Sequence, residues 1–188
     1  LSYGNGGIFL ISPDLDAPTP QGAVIPLGFD TKIPLLQGRM QPDGAAAWLA
    51  GFKIYDSRAQ QLQGLGRLRL STESITKPVS AQSCADGVIL RFATPLKADS
   101  VRAEQIIAQS WNYVRSKAYG SGRFRSDGSA GMDGVGVSQA VLSQDRRSVF
   151  IHLPGLRPVM QLEVRHQFQL ENGSATEGAT YFTIHQPR

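Results

Sequence analysis

The side chains best suited to metal or acid–base chemistry are one cysteine, Cys84, and three histidines, His152, His166 and His185. Metal sites usually place histidines at short regular spacing or combine them with carboxylates, whereas these three fall on different predicted strands. A single cysteine forms no internal disulfide and no C-x-x-C ligand pair. Alternation along residues 162–170 puts His166 on a buried face, where a hydrogen-bonded core histidine is expected. The sequence therefore predicts no metal site in this chain.

The sequence contains no complete motif for nucleophilic catalysis. There is no G-x-S-x-G, and Cys84 has no obvious histidine partner. The glycine cluster at residues 4–7 lacks the Lys-Ser/Thr end and the helix of a phosphate-binding loop. We therefore expect no nucleophile–base pair, no catalytic residues and no turnover by this chain alone.

One segment interleaves aromatic and cationic side chains, and we take Trp111, Tyr113, Arg115 and Tyr119 as candidate ligand-binding residues. Exposed aromatic faces beside polar groups stack on sugar rings or bases. The alternative is a partly buried strand face, because residues 111, 113 and 115 share one parity. An exposed aromatic row favours glycan binding. A buried row, with an exposed apolar patch on residues 1–50, favours a structural role.

Composition indicates a globular β-rich protein. The 188 residues include 41% hydrophobic and 18% charged residues, with 20 Gly and 11 Pro, a density that favours short strands joined by turns over a helical bundle. A net charge of +4 is too small to indicate the continuous basic face of a nucleic-acid-binding protein. No stretch approaches the roughly 20 apolar residues of a membrane-spanning helix.

The chain divides into two predicted domains, residues 1–70 and 83–188, joined by a polar linker at 71–82. The first is a meander of short strands. It includes a predicted strand at residues 22–25, which ends before Pro26, and a tight turn at residues 41–44. Residues 1–5 carry neither an initiating Met nor a secretory leader, which predicts that the chain is a segment of a longer polypeptide.

The second domain carries the clearest strand pattern. Val88, Leu90 and Phe92 share one face, and residues 162–170 alternate strictly, with the apolar set on one side and Glu163 among the polar set. Residues 137–142 and 148–153 form a predicted hairpin, while residues 118–136 form a predicted long Gly-rich loop. About seven short strands at this spacing favour an antiparallel, immunoglobulin-like sandwich.

Short pieces of the chain, in consistent order, resemble the end of a β-propeller and the domain that follows it. The parent family is that of large secreted bacterial proteins similar to glucose/sorbosone dehydrogenases, also described as membrane-bound dehydrogenase or haem-binding domain proteins. The pieces of the first domain are residues 1–4, 21–24, 38–44, 49–51 and 66–69. Those of the second are residues 87–92, 111–113, 119–121, 153–161 and 183–185.

This resemblance implies an all-β chain in which a short antiparallel meander, the end of a β-propeller, precedes an immunoglobulin-like β-sandwich. It implies a non-catalytic interaction segment of a larger extracytoplasmic, periplasmic or secreted, bacterial protein. The expected partner is the rest of a propeller-containing protein or a partner subunit. The family's quinone or metal site is expected in the propeller body and its haem in a domain with C-x-x-C-H, neither of which this sequence contains. The alternatives are a carbohydrate-binding accessory module and part of a quinone- or haem-linked sugar oxidoreductase.

Overall fold

Almost all regular structure in the chain is β-strand. The computed structural model describes residues 1–69, 71 and 75–187. Within these ranges, two short 3-10 helices, Ala98–Ser100 and Ala103–Gln105, accompany the strands. The strands are β1 (Gly7–Asp14), β2 (Gln21–Asp30), β3 (Leu35–Met40), β4 (Ala46–Phe52), β5 (Gln63–Arg69), β6 (Pro78–Cys84), β7 (Gly87–Phe92), β8 (Ile106–Trp111), β9 (Asp133–Val135), β10 (Gln139–Leu142), β11 (Ser148–His152), β12 (Val159–Gln169) and β13 (Ala175–Ile184). The sheets that these residues form are antiparallel and none closes into a barrel, so the all-β class is confirmed.

The strands belong to two compact units, and the chain passes between them three times. Unit 1 is Leu1–Leu10 with Pro26–Ile75, and unit 2 is Ile11–Ile25 with Thr76–Arg188. These limits differ from the predicted domains 1–70 and 83–188, because residues 11–25 group with the second unit. Pairing explains this difference, since Gly22–Val24 of β2 hydrogen-bond to β13.

The predicted linker 71–82 also differs from the structure. Strand β6 begins inside it, at Pro78, and pairs antiparallel with β7. Pro78 and Ala81 are buried, so the polar residues around them mark the outer side of a strand rather than a connection. Residues 72–74 of the predicted linker, and Leu70 at the end of the first predicted domain, lie outside the described residues.

Unit 1 contains the antiparallel meander β3-β4-β5 over a small core. Its buried residues are Ile8, Ile33, Leu35, Ala47 and Leu49, with Leu27 and Leu68 packed beside them. The predicted turn between β3 and β4 is present, and Gly44 adopts φ 69°, which favours glycine. Gly51 has no room for a side chain, because a Cβ there would lie 1.9 Å from the carbonyl oxygen of Pro34.

Unit 2 contains the four-stranded sheet β10-β11-β7-β6 and the sheet order β2-β13-β12-β8-β9. Phe92 of β7 meets His166 and Phe168 of β12 at ring centroid distances of 5.6 and 6.4 Å, so the two sheets share a core. Val88, Leu90 and Phe92 are buried as predicted, and so are His166, Phe168 and Leu170. The predicted hairpin is present as β10 and β11.

A buried glutamine ties residues 11–25 into unit 2. Gln21 is 7% exposed, and both ends of its side-chain amide are hydrogen-bonded. The amide nitrogen lies 3.0–3.1 Å from Asp14 Oδ2, Ser83 Oγ and the carbonyl oxygen of Gln186. The amide oxygen accepts hydrogen bonds from the backbone N–H groups of His185 and Gln186. This satisfied amide joins β2 to β6 and to the chain beyond β13, and a buried amide without partners would be costly.

Two local expectations are wrong. Strand β2 does not stop at Pro26 but continues to Asp30. Only the Gly22–Val24 part of β2 pairs with β13. Pro26 therefore does not need to donate a hydrogen bond to that ladder. The Gly-rich region 118–136 is also not one long loop, since it contains β9 and a small hairpin. In this hairpin Phe124 forms bridges to Asn112 and Ala130, and Gly128 donates to the carbonyl of Arg125.

Candidate functional site

Trp111 is a covered side chain at the end of β8. It is 3% exposed, and the Arg123 guanidinium lies over its ring, 4.3 Å from the centroid. Its register partner is Gln161, which places it on the same side of β12 as Glu163 and away from the buried Leu162. The indole nitrogen has no hydrogen-bond partner among the described residues. The ring face is therefore occupied by Arg123 and is not free to stack on a sugar.

The other predicted ligand residues lie beyond the end of β8 and are exposed. Tyr113 is 41% exposed, Tyr119 is fully exposed, and Arg115 is also exposed. Backbone hydrogen bonds hold the start of this segment, where the Val114 N–H donates to Ser121 Oγ at 2.9 Å. The four predicted residues therefore divide into one buried side chain and three exposed ones, and they do not form a single exposed row.

The outer face of the larger sheet carries a charged cluster that the sequence did not predict. Glu163 is only 3% exposed, although alternation places it on the polar side of β12. Arg165 donates to its carboxylate at 3.1 Å, and Tyr181 lies opposite it on β13. The hydrogen bond with Glu163 raises the pKa of Arg165. Burial, followed by the hydrogen bond to Glu163, raises the pKa of Tyr181.

This cluster borders an open cleft of about 540 Å³. The cleft is lined by charged and polar side chains of mixed sign, including Lys77, Glu104 and Glu177, with Ile107 as an apolar element. No signal in the sequence distinguishes Glu163 from the exposed polar residues beside it on β12. Its burial follows from the register, which places Gln109 and Tyr181 on either side of it.

The three histidines lie in different environments. His166 is 3% exposed, and its Nε2 lies 3.2 Å from Thr176 Oγ1. Burial, with a smaller effect of Lys77, lowers the pKa of His166 to about 4. His185 is exposed, and its backbone N–H donates to Gln21. No group of three potential metal ligands of the His, Cys, Asp and Glu types is found within the described residues.

His152 has two polar neighbours that the sequence did not predict. Its Nδ1 lies 2.6 Å from Ser138 Oγ, and its Nε2 lies 3.1 Å from Asp86 Oδ2. These residues are 14 and 66 positions from His152 in the chain, so no local motif could reveal them. The four-stranded sheet of unit 2 brings them together.

Unit 1 presents an apolar surface on the outer side of its meander. We define the meander face as Trp48, Phe52, Leu65, Arg39 and Arg67, which lie opposite or beside one another in the register of β3, β4 and β5. Trp48 is 45% exposed, Phe52 55% and Leu65 71%. The Arg67 guanidinium lies 5.7 Å from the centroid of the Trp48 ring. Contiguous exposed apolar groups bordered by charge are typical of a contact surface.

Comparison of the chain with protein-family models, curated proteins and solved structures gives no match. No helix of the described residues is long and apolar enough to cross a membrane. Any statement about function therefore depends on the geometry of the chain and on the resemblance drawn from its motifs.

Proposed function

We propose that this chain is a structural and interaction segment of a larger extracytoplasmic bacterial protein similar to glucose/sorbosone dehydrogenases. In this proposal unit 1 completes or follows the propeller, and unit 2 is an immunoglobulin-like sandwich. The meander face is the observation that carries the proposal. Its Trp48, Phe52 and Leu65 side chains are exposed on a sheet whose other side already covers the unit's own core.

The geometry of a propeller blade supports this assignment. Blades are small antiparallel sheets arranged radially, so that the faces of neighbouring blades pack on each other. Strands β3, β4 and β5 form a three-stranded antiparallel sheet in sequence order, one strand short of a typical four-stranded blade. Burial of each large apolar side chain of the meander face contributes about 1.5–3 kcal/mol. The partner that fits is an apolar sheet face whose rim carries acidic groups opposite Arg39 and Arg67.

A photo-crosslinking amino acid in place of Phe52 tests this assignment in the bacterium that produces the protein. We expect crosslinked peptides with propeller-type strand sequence, whether from the same polypeptide or from a partner subunit. The matched control is the same amino acid in place of Tyr119, which is fully exposed in unit 2 and should give no such product. A freely monomeric chain without crosslinks at Phe52 would contradict the proposal.

Carbohydrate binding is a second candidate, favoured by the exposure of Tyr113 and Tyr119. Because Arg123 covers Trp111, any stacking on a glycan is assigned to the two tyrosines. In a polysaccharide pull-down, Tyr119→Ala should then lose retention, at a cost of roughly 1–3 kcal/mol by analogy with base stacking on aromatic rings. The conservative Tyr119→Phe variant should keep it. Absence of retention in the parent chain excludes this candidate for the polysaccharides tested.

Quinone or haem chemistry in the parent protein remains part of what the resemblance implies. The residues of this chain do not fit covalent haem attachment, because Cys84 is its only cysteine. The described residues also contain no cluster of three metal-ligating side chains. We therefore derive no catalytic step through either group.

A further inference from the structure

Three side chains lie in a row at one end of the four-stranded sheet of unit 2, joined by one hydrogen bond and one ion-pair contact. Ser138 Oγ lies 2.6 Å from His152 Nδ1, and His152 Nε2 lies 3.1 Å from Asp86 Oδ2. The Asp86 carboxylate lies on the Nε2 side of the ring, which favours the tautomer that carries its proton on Nε2. In this tautomer Nδ1 has a free lone pair that can accept the hydrogen bond from the Ser138 hydroxyl. This is the proton arrangement that a general base for Ser138 requires.

The register of the sheet fixes this row. His152 is the last residue of β11, and it is paired with Gln139 on one side and Gly87 on the other. Ser138 directly precedes Gln139, and Asp86 directly precedes Gly87, so both flank the same imidazole. The backbone locks both neighbours, because Ser138 N–H donates to the His152 carbonyl and Leu153 N–H to the Asp86 carbonyl. Groups held by strands are better oriented for chemistry than groups on free loops.

Gly87 permits the close approach of the Asp86 turn to β11. A Cβ at position 87 would lie 2.2 Å from the carbonyl oxygen of Ile151 and 2.9 Å from the Phe150 ring. Any larger residue would push β7 away from β11 and lengthen the contact between Asp86 and His152. The contact between Asp86 and His152 therefore requires a glycine at position 87, although the alternating pattern of β7 does not by itself call for glycine there.

We propose that Ser138, His152 and Asp86 form a nucleophilic serine site that takes small, unhindered, activated acyl esters. Ser138 is the nucleophile, His152 the general base and Asp86 the group that orients and stabilises the imidazole. The imidazole is reversed relative to the common serine-hydrolase triad, since here Nδ1 rather than Nε2 faces the serine. In both arrangements the serine lies at one ring nitrogen and a carboxylate lies beside the other, here Ser138 at Nδ1 and Asp86 at Nε2.

This row supplies the proton transfers that acyl transfer to Ser138 needs. The Ser138 Oγ–H bond breaks as Oγ forms a bond to the ester carbonyl carbon, and the proton moves to His152 Nδ1. The bond from the carbonyl carbon to the leaving oxygen then breaks, and the leaving alkoxide or phenolate takes the proton from Nδ1. In deacylation, water gives a proton to Nδ1 as its oxygen forms a bond to the acyl carbon. The bond from this carbon to Oγ then breaks, Oγ takes the proton back from Nδ1, and the carboxylic acid leaves.

The exposure of the row sets its substrate class. The His152 side chain is 31% exposed and that of Asp86 is 60% exposed, so the site is open to solvent. Such a site reaches small esters with good leaving groups and readily admits the water for deacylation. It gives little selectivity for the acyl chain, because selectivity depends on an enclosing pocket.

An active-site-directed fluorophosphonate and p-nitrophenyl acetate test the proposal on the intact chain. We expect the fluorophosphonate to label Ser138, located by peptide mapping, and p-nitrophenyl acetate to give p-nitrophenol with an acetylated Ser138 peptide. Ser138→Ala should abolish both signals. His152→Ala should slow labelling about 100-fold or more, the lower end of what a general base contributes. Asp86→Asn should produce a smaller loss.

The matched control is Ser143→Ala. Ser143 is a turn serine whose Oγ donates to Asp145 at 2.5 Å, and it has no histidine partner among the described residues, so labelling should not change. Cys84→Ser excludes acylation of the thiol, whose pKa is raised by burial and by Asp86 and Asp14. The parent's peptide map decides the question even if a variant fails to fold. Label distributed evenly over surface serines, or none on Ser138, overturns the proposal. This outcome is independent of the crosslinking result for unit 1.

Discussion

The two units bury their residues in different ways. Unit 2 hydrogen-bonds both ends of the buried Gln21 amide and packs Phe92, His166 and Phe168 into one aromatic cluster. Unit 1 has a small core, yet it carries more than half of the exposed large hydrophobic side chains among the described residues, although it is the shorter unit. A unit with a complete core needs no partner, whereas an exposed apolar sheet face is costly in water. From this contrast we expect unit 2 to fold on its own, and it supports the proposal that unit 1 makes contacts.

The largest expected effect tests the limits of unit 2. The sequence predicts a domain at residues 83–188, but the structure places Ile11–Ile25 and all of β6 in the same unit. We expect the fragment 83–188 to be unfolded, because it lacks Gln21, Ile25 and most of β6. The fragment 76–188 mixed with a peptide of residues 11–25 should recover a cooperative thermal transition by circular dichroism. A fully cooperative 83–188 would show that residues 11–25 are dispensable.

The next largest effect concerns the aromatic cluster. His166→Lys should destabilise the chain by several kcal/mol, because an ammonium group would be buried among apolar rings near the existing charge of Lys77. His166→Phe is the matched control, since it keeps an aromatic ring between Phe92 and Phe168. Urea denaturation measures both free energies of unfolding. Equal stability of the lysine variant and the parent would place His166 outside the core.

The same histidine makes stability depend on pH. Its folded-state pKa of about 4 lies below the ordinary value of 6.5, so the unfolded chain binds the proton more readily between these values. The stabilisation that neutral His166 provides is fully present above pH 6.5 and is lost as the pH falls towards 4. It amounts to roughly 3 kcal/mol at order-of-magnitude precision. Unfolding of the parent and of His166→Phe across this range isolates it, and parallel pH profiles would contradict the assignment.

Removal of the buried Gln21 amide should destabilise the chain less than burial of an ammonium group at position 166. Gln21→Leu keeps the side-chain volume but leaves the His185 and Gln186 N–H groups without their acceptor, at about 1–3 kcal/mol for each group that finds no water. Gln82→Leu, at an exposed position of β6, should change the free energy of unfolding little. Hydrogen exchange of the His185 and Gln186 amides reports the local effect. Unchanged protection in Gln21→Leu would mean that other acceptors replace Oε1.

Sequence patterns predicted the strands better than the sites. Strict alternation identifies the buried face of β12 because the side-chain period of a strand is two, and Val88, Leu90 and Phe92 follow the same rule. Burial of Glu163 was not predictable, because it depends on Tyr181 and Gln109 of neighbouring strands. Pairings between distant strands are set by register, which a single sequence does not reveal.

The candidate residues show the same limit. Trp111 and Tyr113 look equivalent in the sequence, but the hairpin carrying Arg123 covers only Trp111. Ser138 and Asp86 meet His152 only because β10, β11 and β7 are neighbours. Local spacing therefore identifies side chains capable of chemistry, and tertiary pairing decides which of them meet.

The smallest expected effect on stability belongs to the meander face, and it defines the contrast between the units. Trp48→Ser should change the free energy of unfolding of the isolated chain by only about 1 kcal/mol, because it removes a half-exposed ring and its contact with Arg67. Leu49→Ser, one position along β4, is the matched control. Leu49 is 4% exposed and lies in the core of unit 1, so its loss should cost several kcal/mol. Chemical denaturation of both variants measures this difference, and fluorescence of a dye that binds apolar surface should fall in Trp48→Ser alone. If Trp48→Ser destabilises the isolated chain as strongly as Leu49→Ser, the meander face belongs to the chain's own core and its assignment as a contact surface is wrong.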